Sequence, residues 1–217
     1  MEEIEIIEEQ IPNEVVVLNP KQELLGKIYD AMIEGRAYER PSYKLFPIEE
    51  RILRWNLVRG NIEFDVIKAV ELYEEEQLEY DVAKEQFDLF ETCEQKRPYL
   101  LEMIDALCDK AVVFTGTLAK SGRASITVPL LMDLATQYED YKGIAKRVEE
   151  LGFDFIRCMD ECLKHIEARV QDPTQALRWK LEGNPSGEKW KKDKNQPGET
   201  LYQPDYMRCR TGECGCK

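Results

Sequence analysis

Tyr99-Leu100-Leu101-Glu102-Met103-Ile104-Asp105-Ala106-Leu107-Cys108-Asp109 is the stretch that decides the fold class. Between Tyr99 and Ala119 the only charged residues are Glu102, Asp105, Asp109 and Lys110. At about 100° per residue the three acids fall on one stripe with Ala106, Val113 and Gly116. Leu100, Met103, Leu107, Ala111, Phe114 and Leu118 cover the other side. A helix this apolar all round is normally buried, and buried carboxylates are costly unless something positive meets them. A bound cation is the expected partner.

Outward from this stretch the pattern stays helical. Pro98 is read as the start of the apolar helix and Ser121-Gly122 as its end, with Gln95-Lys96-Arg97-Pro98 as a short turn before it. A long helix is expected from about Glu63 to Cys93. There Glu76 and Glu79, at i and i+3, project from one face shared with Ala69, Leu72 and Ala83. So short a connection favours an antiparallel helix pair. Earlier helices are expected over Lys21–Arg36, behind Pro20, and over Ile48–Val58, between Pro47 and Gly60. Later ones are expected over Val128–Tyr141, Ile144–Leu151 and Phe155–Val170. The reading is an all-α protein with a four-helix-type bundle core and an irregular C-terminal tail. Its parts are an acidic, β-branched arm (1–19), a helical domain (20–172) and an extended tail (173–217). The tail is too poor in aliphatics for a core of its own, and its Trp179, Trp190, Tyr202 and Tyr206 are expected to pack on the body or a partner chain.

Composition narrows the function classes. A formal charge of −13 over 217 residues argues against nucleic-acid or anionic-membrane binding, both of which want a basic face. No apolar run approaches the ~20 residues of a membrane span, and no charged-then-apolar leader pattern is seen, so a soluble cytoplasmic protein is the expectation. Seven cysteines, an odd number, give no paired disulfide framework. Cys93, Cys108, Cys158 and Cys162 read as small core residues. Cys209, Cys214 and Cys216 in the tail lack the paired spacing of a structural zinc site, and mobile thiols are the favoured reading.

The acids form two pairs, Glu76-x-x-Glu79 and Glu102-x-x-Asp105, separated by 22 residues. On adjacent antiparallel helices two such pairs can converge into a group of four carboxylates, hard oxygen ligands suited to Mg²⁺ or Mn²⁺. A di-iron bundle would require Glu-x-x-His on two helices, and the sole histidine, His165, stands four residues after Glu161. The competing reading of each acid is a solvated helix face, least attractive for Glu102 and Asp105 because their helix is so apolar. For Asp109 the two readings are evenly balanced.

The residues resemble a known family, the MazG-like all-α nucleoside triphosphate pyrophosphohydrolases. Glu75-Glu76-Gln77-Leu78-Glu79 looks like that family's Glu-Glu-x-x-Glu, and Glu102-Met-Ile-Asp105-Ala-Leu-Cys-Asp109 like its Glu-x-x-Asp-Ala-x-x-Asp helix. Val112 to Gly122 is similar to the small-residue helix end of phage-type members, so the likeness runs over about Phe64 to Gly122. It implies that Glu76, Glu79, Glu102 and Asp105 are catalytic residues that hold Mg²⁺ or Mn²⁺, with Asp109 as a further ligand or outer-shell partner. It also implies hydrolysis of a nucleoside or deoxynucleoside triphosphate to the monophosphate and pyrophosphate, for nucleotide-pool control. A homodimer or homotetramer is implied too, as is a phage setting in a host cytoplasm. The family's Asn and Lys on the next helix have no clear match in Leu131–Lys142. Lys110 and Lys120 lead the candidates for phosphate contacts, with Arg123, Lys142 and Lys146 behind them. A phosphoribosyl-ATP pyrophosphohydrolase would use the same acids. Outside the enzyme class, the chain would be a non-catalytic acidic helical adaptor or inhibitor.

Overall fold

The computed structural model describes residues 18–126, 141–168 and 202–212. Within them the chain is all-helical: α1 (Pro20–Ile33), α2 (Phe46–Val58), α3 (Val66–Leu89), α4 (Cys93–Arg123), α5 (Tyr141–Glu150), α6 (Phe155–Ala168) and a 3₁₀ turn at Tyr206–Cys209. The expected helix over Val128–Tyr141 lies outside the described residues apart from Tyr141. So do most of the N-terminal arm and most of the tail, including Cys214 and Cys216.

Local chemistry sets the boundaries. Asn19 caps α1, accepting from the Lys21 amide at 2.9 Å and closing a capping box with Gln22, while Pro20 supplies a preset φ. Gly35 takes the left-handed conformation (φ +67) that stops α1 three residues short of the expected end. Asp65 caps α3 by accepting from the Lys68 amide at 3.1 Å. The start of α4 corrects the sequence reading. Thr92 caps the helix, so Gln95-Lys96-Arg97 lie in its opening turns and Pro98 sits inside it. A proline so near the N-terminus forfeits one backbone bond, which the cap and the packing behind it outweigh.

With 31 residues, about 46 Å of helix, α4 runs through the molecule and touches every other described element. It forms an antiparallel hairpin with α3. Near the turn Phe90 stacks on Tyr99 (ring centroids 5.3 Å apart), and far from it Tyr73 meets Phe114 edge-on at 6.5 Å. On its other side α4 crosses α1 with almost no space between backbones. A Cβ on Gly122 would stand 2.1 Å from the Gln22 carbonyl oxygen, and one on Gly26 would stand 2.6 Å from the Gly122 carbonyl carbon. Only glycine permits that approach.

Two apolar clusters line α4. One joins Ile104, Leu107 and Ala111 to Ile52, Ile144, Phe153, Met159 and Leu163; the other joins Leu118 and Ala119 to Leu25, Tyr29, Phe46 and Leu57. Residues 202–212 pack beside α6 and α4, with an isolated bridge between Phe153 and Arg210. Cys108, Cys158 and Cys162 are buried free thiols, as expected of core residues, and Cys209 joins them in the core rather than standing mobile; Cys93 is exposed. No helix among the described residues is long and apolar enough to cross a membrane.

Candidate metal centre in the α3–α4 hairpin

The hairpin register decides which acids meet. Lys110 of α4 donates to Gln77 Oε1 of α3 at 2.6 Å, and its ammonium lies 4.8 Å from the Tyr73 ring centroid. That pairing puts Glu76 opposite the turn of α4 that carries Asp105 and Asp109. The Glu76 carboxyl is half-buried, and among the described residues its buried Oε2 has no hydrogen-bond partner. Burial, followed by the charges of Asp109, Glu79, Glu75 and Asp105, pushes its pKa up from 4.5 to about 8. Four acids therefore act on a fifth, and at neutral pH Glu76 holds a proton.

The two acids on α4 are held from behind by neutral donors. Tyr206, brought in by the C-terminal segment, donates its hydroxyl to Asp105 Oδ1, and Cys162 on α6 donates its thiol to Asp109 Oδ1 at 3.2 Å. Burial raises both donors well above their usual pKa, and the nearby acids add to it, so both stay protonated. Neither contact was legible in the sequence. Cys162 reads as one more apolar position of α6, and Tyr206 belongs to a tail with no periodicity to place it.

Of the predicted ligands, Glu76, Glu79, Asp105 and Asp109 share one electrostatic environment. Glu102 stands apart. It is exposed, as Glu79 is, but unlike Glu79 it is not among the charges that chiefly raise Glu76. The expectation that all three acids of the α4 stripe are buried is therefore corrected: Asp105 and Asp109 are half-buried, and Glu102 reaches solvent. Its α4 neighbours Leu100, Met103 and Ile104 take the inner face at that level.

The chain matches no family model, no curated protein and no solved structure. Its site must be judged on its own geometry. Among the described residues, no three Asp, Glu, His or Cys side chains are already gathered into a metal-holding set. Like charges repel, so an all-carboxylate group stands open unless a cation lies between its members. The donor set nonetheless fits a hard divalent cation: carboxylate oxygens on two helices, one of them buried and unpartnered.

The lysines expected to meet phosphate are deeper than the sequence suggests. Lys110 is fully buried. Lys120 is 8% exposed, donates to Asn61 Oδ1 at 3.1 Å, and is lowered to about 8 by burial and then by Arg59. It stands eleven positions beyond Asp109 in α4, about 16 Å along the axis. Arg123 is engaged by Asp30 (2.8 Å) and the Ile62 carbonyl (2.9 Å), and Lys146 by Glu150 (3.3 Å). Lys142 is exposed. His165 fixes the tail, its Nδ1 lying 2.6 Å from the Tyr202 carbonyl. An open depression of about 540 Å³ between residues 43–45 and the α5–α6 junction includes none of these acids.

Proposed function

We propose that this protein is a Mg²⁺- or Mn²⁺-dependent nucleoside triphosphate pyrophosphohydrolase built on a MazG-like helical bundle. It would convert a nucleoside or deoxynucleoside triphosphate to the monophosphate and pyrophosphate. The single observation that carries the reading is Glu76: a buried, unpartnered carboxyl oxygen surrounded by Glu75, Glu79, Asp105 and Asp109. The Glu-x-x-Glu and Glu-x-x-Asp spacing supports it. Glu76, Glu79, Asp105 and Asp109 would hold the cation, with Glu102 swinging in from its exposed position. When bound, a divalent cation draws charge from the phosphorus and lowers the pKa of a water. Glu75, exposed and next to Glu76 in α3, would accept that water's proton. Lys110 and Lys120 would offset substrate charge from within the helix pair and at its far end.

A homodimer or homotetramer belongs to the same reading. Ile67, Leu78, Val82 and Leu89 of α3 are 69%, 64%, 51% and 72% exposed and fall within about 60° of one another around the helix. An apolar stripe of that kind would suit an interface with another chain. Control of a nucleotide pool in the cytoplasm, of a host cell if the protein is phage-encoded, completes the proposal and rests on the resemblance.

The same stripe favours the second reading, a non-catalytic acidic adaptor whose α3 meets a partner. Pyrophosphate release separates the two. The eight standard NTPs and dNTPs are incubated with Mg²⁺ or Mn²⁺, beside a Glu102→Gln, Asp105→Asn double variant. Release by the wild type that the double variant abolishes supports the enzyme. No release from any of the eight leaves the adaptor reading standing.

A further inference from the structure

The acids of α2 are met by cations. Glu50 takes Arg40 and Arg54, and Glu49 takes Lys21. Asp105 is treated differently: among the described residues its partner is a neutral hydroxyl, that of Tyr206. A neutral donor fixes a carboxylate without cancelling its charge. One oxygen is taken, and the second stays open to a further partner while the carboxylate as a whole keeps its negative charge.

The mount that delivers Tyr206 is rigidly tied. Tyr202 donates its hydroxyl to Glu161, and the Asp205 amide donates to the same carboxylate at 3.0 Å. The Asp154 amide donates to the Cys209 carbonyl at 2.8 Å, and the Thr211 amide to the Gly152 carbonyl at 2.9 Å. Tyr206 itself is 4% exposed.

We propose that Tyr206 is a positioning residue for the metal centre. Its hydroxyl holds Asp105 in the orientation that presents the other carboxylate oxygen to a divalent cation, and residues 202–212 exist in part to mount it. The proposal rests on the metal-dependent reading above. Y206F removes the hydroxyl and keeps the ring; Y43F is the same deletion at a hydroxyl that serves Glu49, away from Asp105 and its mount. Three quantities are measured on the full chain: Mn²⁺ binding by electron paramagnetic resonance, the Mg²⁺ concentration for half-maximal pyrophosphate release, and thermal midpoint. Y206F is expected to weaken Mn²⁺ binding about 10- to 100-fold and to raise the Mg²⁺ requirement in step. Y43F is expected to shift the thermal midpoint with less than about a threefold change in either cation measure. Should Y206F not fold, wild-type protein with ¹³C-labelled tyrosine rings answers the question: bound Mn²⁺ broadens the Tyr206 signal ahead of that of Tyr38. Equal cation affinity in Y206F and wild type, or a Tyr206 signal untouched by Mn²⁺, overturns the inference alone. A wild type that binds no Mn²⁺ overturns the metal reading, and this inference with it.

Discussion

Glu49 in α2 and Glu76 in α3 are both carboxylates pressed toward the interior, and the fold treats them oppositely. Glu49 is fully buried, with Lys21 and the Tyr43 hydroxyl against it and the same ammonium 4.9 Å from the Tyr141 ring centroid. Its neighbour Glu50 is held below the usual carboxylate range: burial opposes this, but Arg40, Tyr38 and Arg54 together outweigh burial. Glu76 receives other acids instead. A chain that surrounds two carboxylates with three cations and two tyrosines has the means to satisfy a third. Glu76 among acids is the arrangement that the proposed cation would answer.

The largest stability effect is expected from making Glu49 resemble Glu76. Lys21→Met deletes the ammonium and leaves a buried carboxylate with one hydroxyl partner. Breaking a buried pair costs about 3–5 kcal/mol, and because the Lys21 side chain is 36% exposed the expected loss is about 2–3 kcal/mol. Urea unfolding at pH 7 measures it. A loss below about 0.5 kcal/mol would mean that Glu49 does not need its cation, and the contrast with Glu76 would collapse.

Glu76→Gln should move stability the other way. In metal-free folded protein Glu76 keeps its proton up to about pH 8, whereas its ordinary value is 4.5. Between those values the unfolded chain binds fewer protons than the folded one, so stability falls as pH rises and levels off above about 8. One pKa unit corresponds to about 1.4 kcal/mol. Because Glu76 is only partly buried, solvent screening brings the total to about 1–3 kcal/mol. Unfolding in chelator from pH 5 to 9 should therefore show a slope in the wild type that Glu76→Gln lacks. The variant gains stability at pH 8 while losing metal-dependent pyrophosphate release by at least about 100-fold. Identical pH profiles would place Glu76 among ordinary solvated acids.

Saturating divalent cation should abolish the same slope. Cation at about 100 times its dissociation constant adds about 2.7 kcal/mol when only the folded state binds it. The gain should be larger at pH 8 than at pH 6, because at pH 6 Glu76 must first release its proton. A thermal midpoint insensitive to Mg²⁺ and Mn²⁺ at both pH values would separate the acidic group from any metal.

How far the sequence reaches is visible in these residues. The helices were legible because Pro20, Pro47 and Gly60 punctuate an apolar periodicity, and the facing of Glu76 toward the Asp105 turn follows from i,i+3 spacing and a short connection. Local rules misplaced the start of α4, where Pro98 is the louder signal but Thr92 is the cap. The depth of Lys110 and Lys120 escaped because a lysine's periodicity position does not say whether its stem lies along a partner helix. Tyr206 escaped for a stronger reason. Its contact with Asp105 spans 101 residues, and nothing local specifies it.

Glu102 carries the smallest expected change in stability and the sharpest test of the resemblance. It is exposed, so Glu102→Gln should alter unfolding free energy by less than about 0.5 kcal/mol. If the spacing Glu-x-x-Asp reports a shared ligand set, the same substitution should nonetheless raise the Mg²⁺ concentration needed for pyrophosphate release at least tenfold, because the side chain is recruited only when a cation is present. If release is unchanged while Asp109→Asn abolishes it, the working ligands are Glu76, Glu79, Asp105 and Asp109. Those are the acids that the α3–α4 register and the Tyr206 and Cys162 donors single out, and the i,i+3 pattern at Glu102 would be a coincidence of an acidic helix.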